Sequence, residues 1–176
     1  MPWVVFLGGD DYFASPKVIS NIFRRLQNAN REVDFLSGRV EYVDQDGHVT
    51  GKSYGKEWSR RRIKKSHCIA HPGAIFKREL WSEFGFFSLD YSIAGDYEFT
   101  LRLGPDVRTI FVPETFVYMG DSGVSSRNKL EVVFQVAAVQ MRSGQIGYLQ
   151  VMATVAISLL LTLKAEIQTI FTFRSN

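Results

Sequence analysis

Cysteine is nearly absent from this chain: Cys68 is the single one among 176 residues. An internal disulfide framework is thereby excluded, and the redox compartment stays open. The N-terminus lacks the charged lead, apolar core and small-residue cleavage site of a signal peptide. An apolar run begins instead at Trp3. Termini usually lie outside the core elements, so a segment preceding this run is expected. Histidine is scarce, with His48, His67 and His71 only. Charge is missing altogether between Arg142 and Lys164. Within that gap residues 151–163 are mostly apolar, which is shorter than the roughly 20 residues of a bilayer span. Gln145, Gln150, Thr154 and Ser158 dilute the gap further. It reads as a helix packed on the domain or a partner, with in-plane membrane association and a true span as alternatives. No internal repeat or low-complexity segment is present.

The hydrophobic share of 45% supports a real core in one domain of ordinary size. The net charge of +3 and one short basic cluster are a weak electrostatic footprint, so no nucleic-acid partner is expected. The chain is organised around its first residues. Trp3-Val4-Val5-Phe6-Leu7 is rich in β-branched and aromatic residues, the pattern of a strand buried on both faces. Gly8 and Gly9 then break the strand, and Asp10 and Asp11 follow. Ligands of open α/β sheets bind beyond the carboxyl ends of the strands. Adjacent carboxylates repel each other unless one is protonated or a cation sits between them. Mg²⁺ prefers one or two carboxylates plus substrate phosphates. From these residues alone, a metal site and a helix cap are equally good readings of the pair.

Ser15-Pro16 is a helix start, and Val18, Ile19, Ile22, Phe23 and Leu26 recur at helical spacing to about Asn28. Residues 32–43 read as a strand, and Asp46-Gly47 as the turn of a hairpin through His48 and Val49. Residues 51–66 are polar and basic, with Arg60-Arg61-Arg62-Ile63-Lys64-Lys65 as a solvated face or a contact to phosphates or anionic headgroups. A short strand over 68–76 is interrupted by His71-Pro72-Gly73, and a helix over 77–84 is closed by Gly85. An aromatic-rich loop over 86–93 leads to Gly95-Asp96, which opens a helix to about Leu103. Residues 107–112 and 115–119 read as two strands separated by Pro113-Glu114, and the chain beyond 126 as helical. Asp96 is stabilised at a helix N-terminus by the dipole and free N–H groups, as a structural cap would be. The functional alternative is a general base.

In this order the segments resemble family-2 glycosyltransferases of the GT-A fold. Residues 3–11 resemble the strand and metal motif. His71-Pro72-Gly73 through Phe76-Lys77-Arg78 resembles the acceptor-side segment. Phe84-Gly85-Phe86-Phe87, Asp90 and then Ile93-Ala94-Gly95-Asp96-Tyr97-Glu98-Phe99 through Arg102 resemble the segment of the catalytic aspartate. Gly123-Val124-Ser125-Ser126 is similar to a small loop motif seen after it. The resemblance covers residues 1–127 and implies an incomplete Rossmann-like mixed sheet flanked by helices, with a helical C-terminal region over 128–176.

What the resemblance implies is inverting transfer of a sugar from a nucleotide-diphosphate donor to an acceptor hydroxyl, in polysaccharide or glycolipid synthesis. Asp11 would bind Mg²⁺ or Mn²⁺ with Asp10 beside it, Asp96 would be the general base, and His71, Gly73, Arg78 and Gly95 would contact substrate. His71 is read equally well as a hydrogen-bonded structural histidine. A saccharide or lipid-linked acceptor at the cytoplasmic face of the cell membrane is the implied setting. Two features depart from the family. The alternating strands and helices of the nucleotide-binding half do not occur before the acidic pair, and no histidine follows Asp96. The expected role is therefore the metal-and-acceptor part of a transferase, either a truncated product or one that needs a separate N-terminal half. The alternative is a non-catalytic binding or assembly remnant of the same fold. A phosphotransfer receiver also places paired acids after an early strand, but no later strand here ends in a fitting aspartate.

Overall fold

The computed structural model describes residues 2–121 and 123–174. It is a mixed α/β structure in which a curled six-stranded sheet is flanked by helices, with helices at its C-terminal end. The strands are β1 (Trp3–Val5), β2 (Tyr12–Phe13), β3 (Phe35–Val43), β4 (Val49–Tyr54), β5 (Ala74–Lys77) and β6 (Thr109–Gly120). The helices are α1 (Val18–Gln27), α2 (Arg60–Ile63), α3 (Glu79–Phe84), α4 (Gly95–Arg102), α5 (Val124–Arg127), α6 (Lys129–Arg142) and α7 (Tyr148–Arg174). This is the incomplete Rossmann-like sheet that the sequence implied.

The sheet runs β1-β5-β3-β6-β2, and β4 joins β3 as a hairpin partner. β3 and β6 are parallel, and every other pairing is antiparallel. β1 and β2 thus stand at opposite edges, and the segment Phe6–Asp11 crosses the end of the sheet between them. One edge of β1 pairs with β5, and no described strand pairs with the other. β1 is therefore an edge strand with half-buried residues, not the doubly buried strand expected, and Phe6 and Leu7 beyond it are exposed. An apolar run alone cannot separate a central strand from an edge strand.

Side chains alternate across the sheet and build two cores. On one face Phe35, Phe76, Trp81, Phe99 and Leu103 pack with Val139 and Val151 of the C-terminal helices. On the other, Val18 and Ile22 of α1 cover Leu36, Val40, Ile75 and Val117. The α1 start is shifted by two residues from the expected cap. Ser15 Oγ accepts from the Lys17 N–H at 3.1 Å, and the regular helix begins at Val18. The two strands expected over 107–119 form the single strand β6. Its pairing with β3 shifts register around Pro113, which cannot donate to the ladder. The Asp46-Gly47 hairpin forms as expected, with Gly47 at φ 81°.

Among the described residues no helix is long and apolar enough to cross a membrane. The division expected at 127 passes between parts that share a cavity wall: α6 packs on α4, and Val132 and Val136 line the same cavity as Asp96.

Candidate active site

The acidic pair lies where the chain leaves β1 and turns to reach β2. Asp11 Oδ2 accepts the Gly8 N–H at 2.8 Å, and the Gly120 N–H at the end of β6 also donates to this carboxylate. Burial raises the Asp11 carboxyl above its ordinary range, the Gly8 N–H opposes that, and the Asp10 charge adds to it. Neither Gly8 nor Gly9 uses a positive φ. What Gly8 supplies is close approach, since a Cβ there would sit 2.9 Å from Asp11 Oδ2. At Gly120 a Cβ would sit 2.1 Å from Asp10 Oδ2. Two glycines far apart in sequence thus make room for the two carboxylates.

Asp96 occupies the first turn of α4. Its Oδ1 accepts the Tyr97 N–H at 2.7 Å, and its Oδ2 lies 3.8 Å from His67 Nδ1. It lines a cavity of about 330 Å³ together with Tyr42, Tyr54, His67, His71 and Met119. Both ring nitrogens of His71 and Nε2 of His67 are buried without a hydrogen-bond partner among the described residues. Burial holds His71 neutral, with its pKa lowered to about 4; Asp96 opposes that shift and His67 adds to it. Burial lowers His67 as well, again against the Asp96 charge. Phe6, Phe76 and Phe87 surround the His71 ring, with centroids 5.2, 5.1 and 5.5 Å away. An apolar cage and an unpartnered imidazole leave polar atoms available to a ligand hydroxyl or water.

Tyr42 lines the Asp96 cavity, and burial followed by the Asp11 charge raises its hydroxyl pKa. Tyr54 is raised by burial and then by Cys68, Asp96 and Tyr42. The turn before Asp96 is held from α6: Gln135 Oε1 accepts the N–H groups of Ile93 at 2.9 Å and Ala94 at 3.1 Å. The buried Gln140 donates to the Tyr97 hydroxyl at 3.1 Å, which donates to the Ile63 carbonyl at 3.0 Å. Arg102 donates to the carbonyls of Phe84 and Phe86, fastening the aromatic loop to α4.

The remaining expected residues are placed differently. His71 and Asp96 share the cavity, and Gly95 precedes Asp96 with open space beside it, since a Cβ would meet only the Ser88 carbonyl at 3.8 Å. Gly73 is buried in a 3₁₀ turn against β3, where a Cβ would stand 3.2 Å from Val40. Arg78 is exposed at the far end of β5, where its N–H donates to the Pro2 carbonyl. At the strand rise of ~3.3 Å per residue, β5 puts Arg78 about 13 Å from the His71 end of the same strand. His67, Tyr42, Phe6 and Gln135 are additional members of the site that no local sequence signal marks.

The donor set of Asp10 and Asp11 is carboxylate oxygen only, which suits a hard divalent cation completed by substrate phosphates. A second group that could hold a metal is formed by Asp44, Asp46 and His48, exposed on the turn between β3 and β4. There Asp44 Oδ1 accepts the N–H groups of Asp46 and His48 at 3.0 and 2.8 Å.

No protein-family model matches the chain. The chain is similar to an uncharacterized glycosyltransferase of Methanocaldococcus jannaschii, with 26% identity over 113 residues. The match covers 56% of this chain and 38% of that protein. The chain thus spans about two fifths of the length of the relative it matches.

Proposed function

We propose that this chain is the metal-and-acceptor part of an inverting family-2 glycosyltransferase of the GT-A fold. The observation that carries the reading is Phe6, on the segment that leads into the acidic pair, which stacks on His71 in the wall of the Asp96 cavity with ring centroids 5.2 Å apart. A metal-phosphate centre and an acceptor-side base would be neighbours in that arrangement. Asp96 Oδ1 is fixed by the Tyr97 N–H, leaving Oδ2 to take the acceptor proton as the hydroxyl attacks the anomeric carbon. The bond to the diphosphate oxygen breaks on the opposite face, giving inversion. Asp11, with Asp10 beside it, would hold Mg²⁺ or Mn²⁺. When bound, the cation neutralises charge on the leaving diphosphate. His71 and the rings of Phe6 and Phe87 would offer the acceptor an aromatic wall with an unprotonated nitrogen.

The nucleotide-binding strands implied by the resemblance would pair along the open edge of β1. The chain by itself is then expected to bind a nucleotide-diphosphate sugar poorly. A saccharide or lipid-linked acceptor is the matching second substrate, at the cytoplasmic face of a membrane. Calorimetric titration with Mn²⁺ tests the metal assignment. Asp11→Ala should abolish the heat of binding while Asp44→Ala retains it. The reverse result would move the metal to the hairpin turn and end this reading of the acidic pair.

A further inference from the structure

The polarity of α7 is inverted relative to an ordinary surface helix. Its outward side chains are Leu149, Met152, Ile157, Leu160, Leu161 and Leu163, with Leu149 83% and Leu160 66% exposed. The side turned to the body carries Val151 and Val155, which join the core, and then Ser158 and Thr162. The hydroxyls of Thr154 and Thr162 donate to the carbonyls of Gln150 and Ser158, one turn back, at 3.0 and 2.9 Å. Such bonding within the helix satisfies a hydroxyl without water. A water-facing helix places its polar residues outward. Here the outward face is the more apolar one. The adjoining α6 repeats this, with Leu130, Phe134 and Met141 exposed at spacings of one and three turns.

We propose that the α6–α7 hairpin lies in the plane of an anionic lipid surface with this face immersed. Three observations select lipid. First, the stretch between Arg142 and Lys164 has no charge, and Leu149, Met152, Ile157, Leu160, Leu161 and Leu163 offer no side-chain hydrogen bond, the exposed Tyr148 and Gln150 lying at its N-terminal end; a protein interface uses about one per 100–200 Å². A fluid acyl layer needs none. Second, Arg127, Lys129 and Lys164 flank the uncharged stretch in sequence against Glu131 and Glu166, while Arg142 pairs with Asp90 at 2.9 Å, a small cationic excess on the side of anionic headgroups. Third, Tyr148 stands exposed where the face begins, the place of an interfacial aromatic ring. No described helix can span, so the helix lies along the surface. The cavity wall formed by Val132 and Val136 belongs to the same helix α6, which would hold the Asp96 cavity beside the lipid surface.

Flotation with phosphatidylcholine vesicles containing about one-third phosphatidylglycerol tests this. The chain should float with these vesicles, and Leu149→Gln with Leu160→Gln should weaken partitioning at least about tenfold. Both positions are exposed, so the circular dichroism spectrum and melting midpoint of the double variant should match the parent. Lys164→Glu should weaken binding to the mixed vesicles more than to phosphatidylcholine alone. Asp11→Ala should float like the parent, which keeps this result separate from the metal assignment. Absence of flotation, or equal flotation of the double variant, overturns the proposal. A dimer seen by light scattering and broken by the double variant, without flotation, assigns the face to a second copy and also overturns it.

Discussion

Phe6 stacks on His71 with ring centroids 5.2 Å apart and planes 30° from parallel. This contact joins the segment that carries the acidic pair to the wall of the Asp96 cavity. It also explains why His71 is uncharged, since the apolar rings that flank it cannot solvate an imidazolium.

That burial makes stability depend on pH. The folded pKa of His71 is depressed to about 4 against an ordinary 6.5. A depressed value means that its contribution is complete above about 6.5 and is lost as pH falls toward 4. His67, lowered in the same direction, adds to the loss. Denaturant unfolding should show stability falling by about 2 kcal/mol from His71 alone between neutral pH and about pH 5. His71→Phe should flatten the curve by that amount. An unchanged curve would mean that the folded imidazole titrates normally.

A different titration is expected from the opposite end of the sheet. Arg108 donates to both oxygens of Asp34 at 3.0 Å, and Lys77 Nζ lies 3.4 Å from Oδ1. Burial works to raise the Asp34 carboxyl, but Arg108 and Lys77 outweigh it and hold the pKa below the usual range. Its contribution is therefore present above the ordinary carboxylate pKa and is lost as pH falls through the lowered value. Asp34→Asn should destabilise the chain at neutral pH and remove this acid-side slope in thermal melts, while leaving the slope near pH 6 in place.

The helices α1, α3 and α4, the helical C-terminal region and the β3–β4 hairpin could be read from sequence because their signals are local, whereas α2 and α5 fell in stretches read as a basic face and a loop. Val18, Ile22 and Leu26 repeat at helical spacing, and Asp46-Gly47 supplies a turn residue able to take a positive φ. Strand order was not readable in this way. That β1 and β2 lie at opposite edges depends on pairings between residues more than seventy positions apart, such as Trp3 with Lys77 and Tyr12 with Tyr118. Pro113-Glu114 gave a local break signal, yet β3 pairs on both sides of it through a register shift. In the site, Asp10, Asp11 and Asp96 stood out because carboxylates beside glycines at strand and helix ends are conspicuous. His67 and Gln135 did not, because each acts through a fold contact that no spacing encodes.

Gln135 gives a prediction that links α6 to the Asp96 turn. Its amide accepts from Ile93 and Ala94 and donates to Ser92 Oγ at 2.8 Å and Glu131 Oε1 at 2.9 Å. Gln135→Leu keeps the bulk but leaves two part-buried N–H groups without an acceptor, at a cost of about 1–3 kcal/mol. Amide exchange should speed up at Ile93 and Ala94 well before it does in β3. If only global protection falls, the side chain serves packing and does not hold the turn.

Gly120 permits a sharper test of the acidic pair, because it changes no charge. A methyl group there would lie 2.1 Å from Asp10 Oδ2, 2.7 Å from its carboxyl carbon and 3.1 Å from its Cβ. The whole side chain, not its tip alone, must turn away. Asp10 is exposed, so the swing should cost the fold little, within about 1 kcal/mol. The Asp11 carboxylate would keep the Gly8 N–H but lose its placement against Asp10. Gly120→Ala should therefore melt within a few degrees of the parent. Its Mn²⁺ affinity should still fall at least about tenfold, since divalent oxygen sites depend on ligand geometry. Equal affinity in calorimetry would mean that Asp10 takes no part in holding the cation.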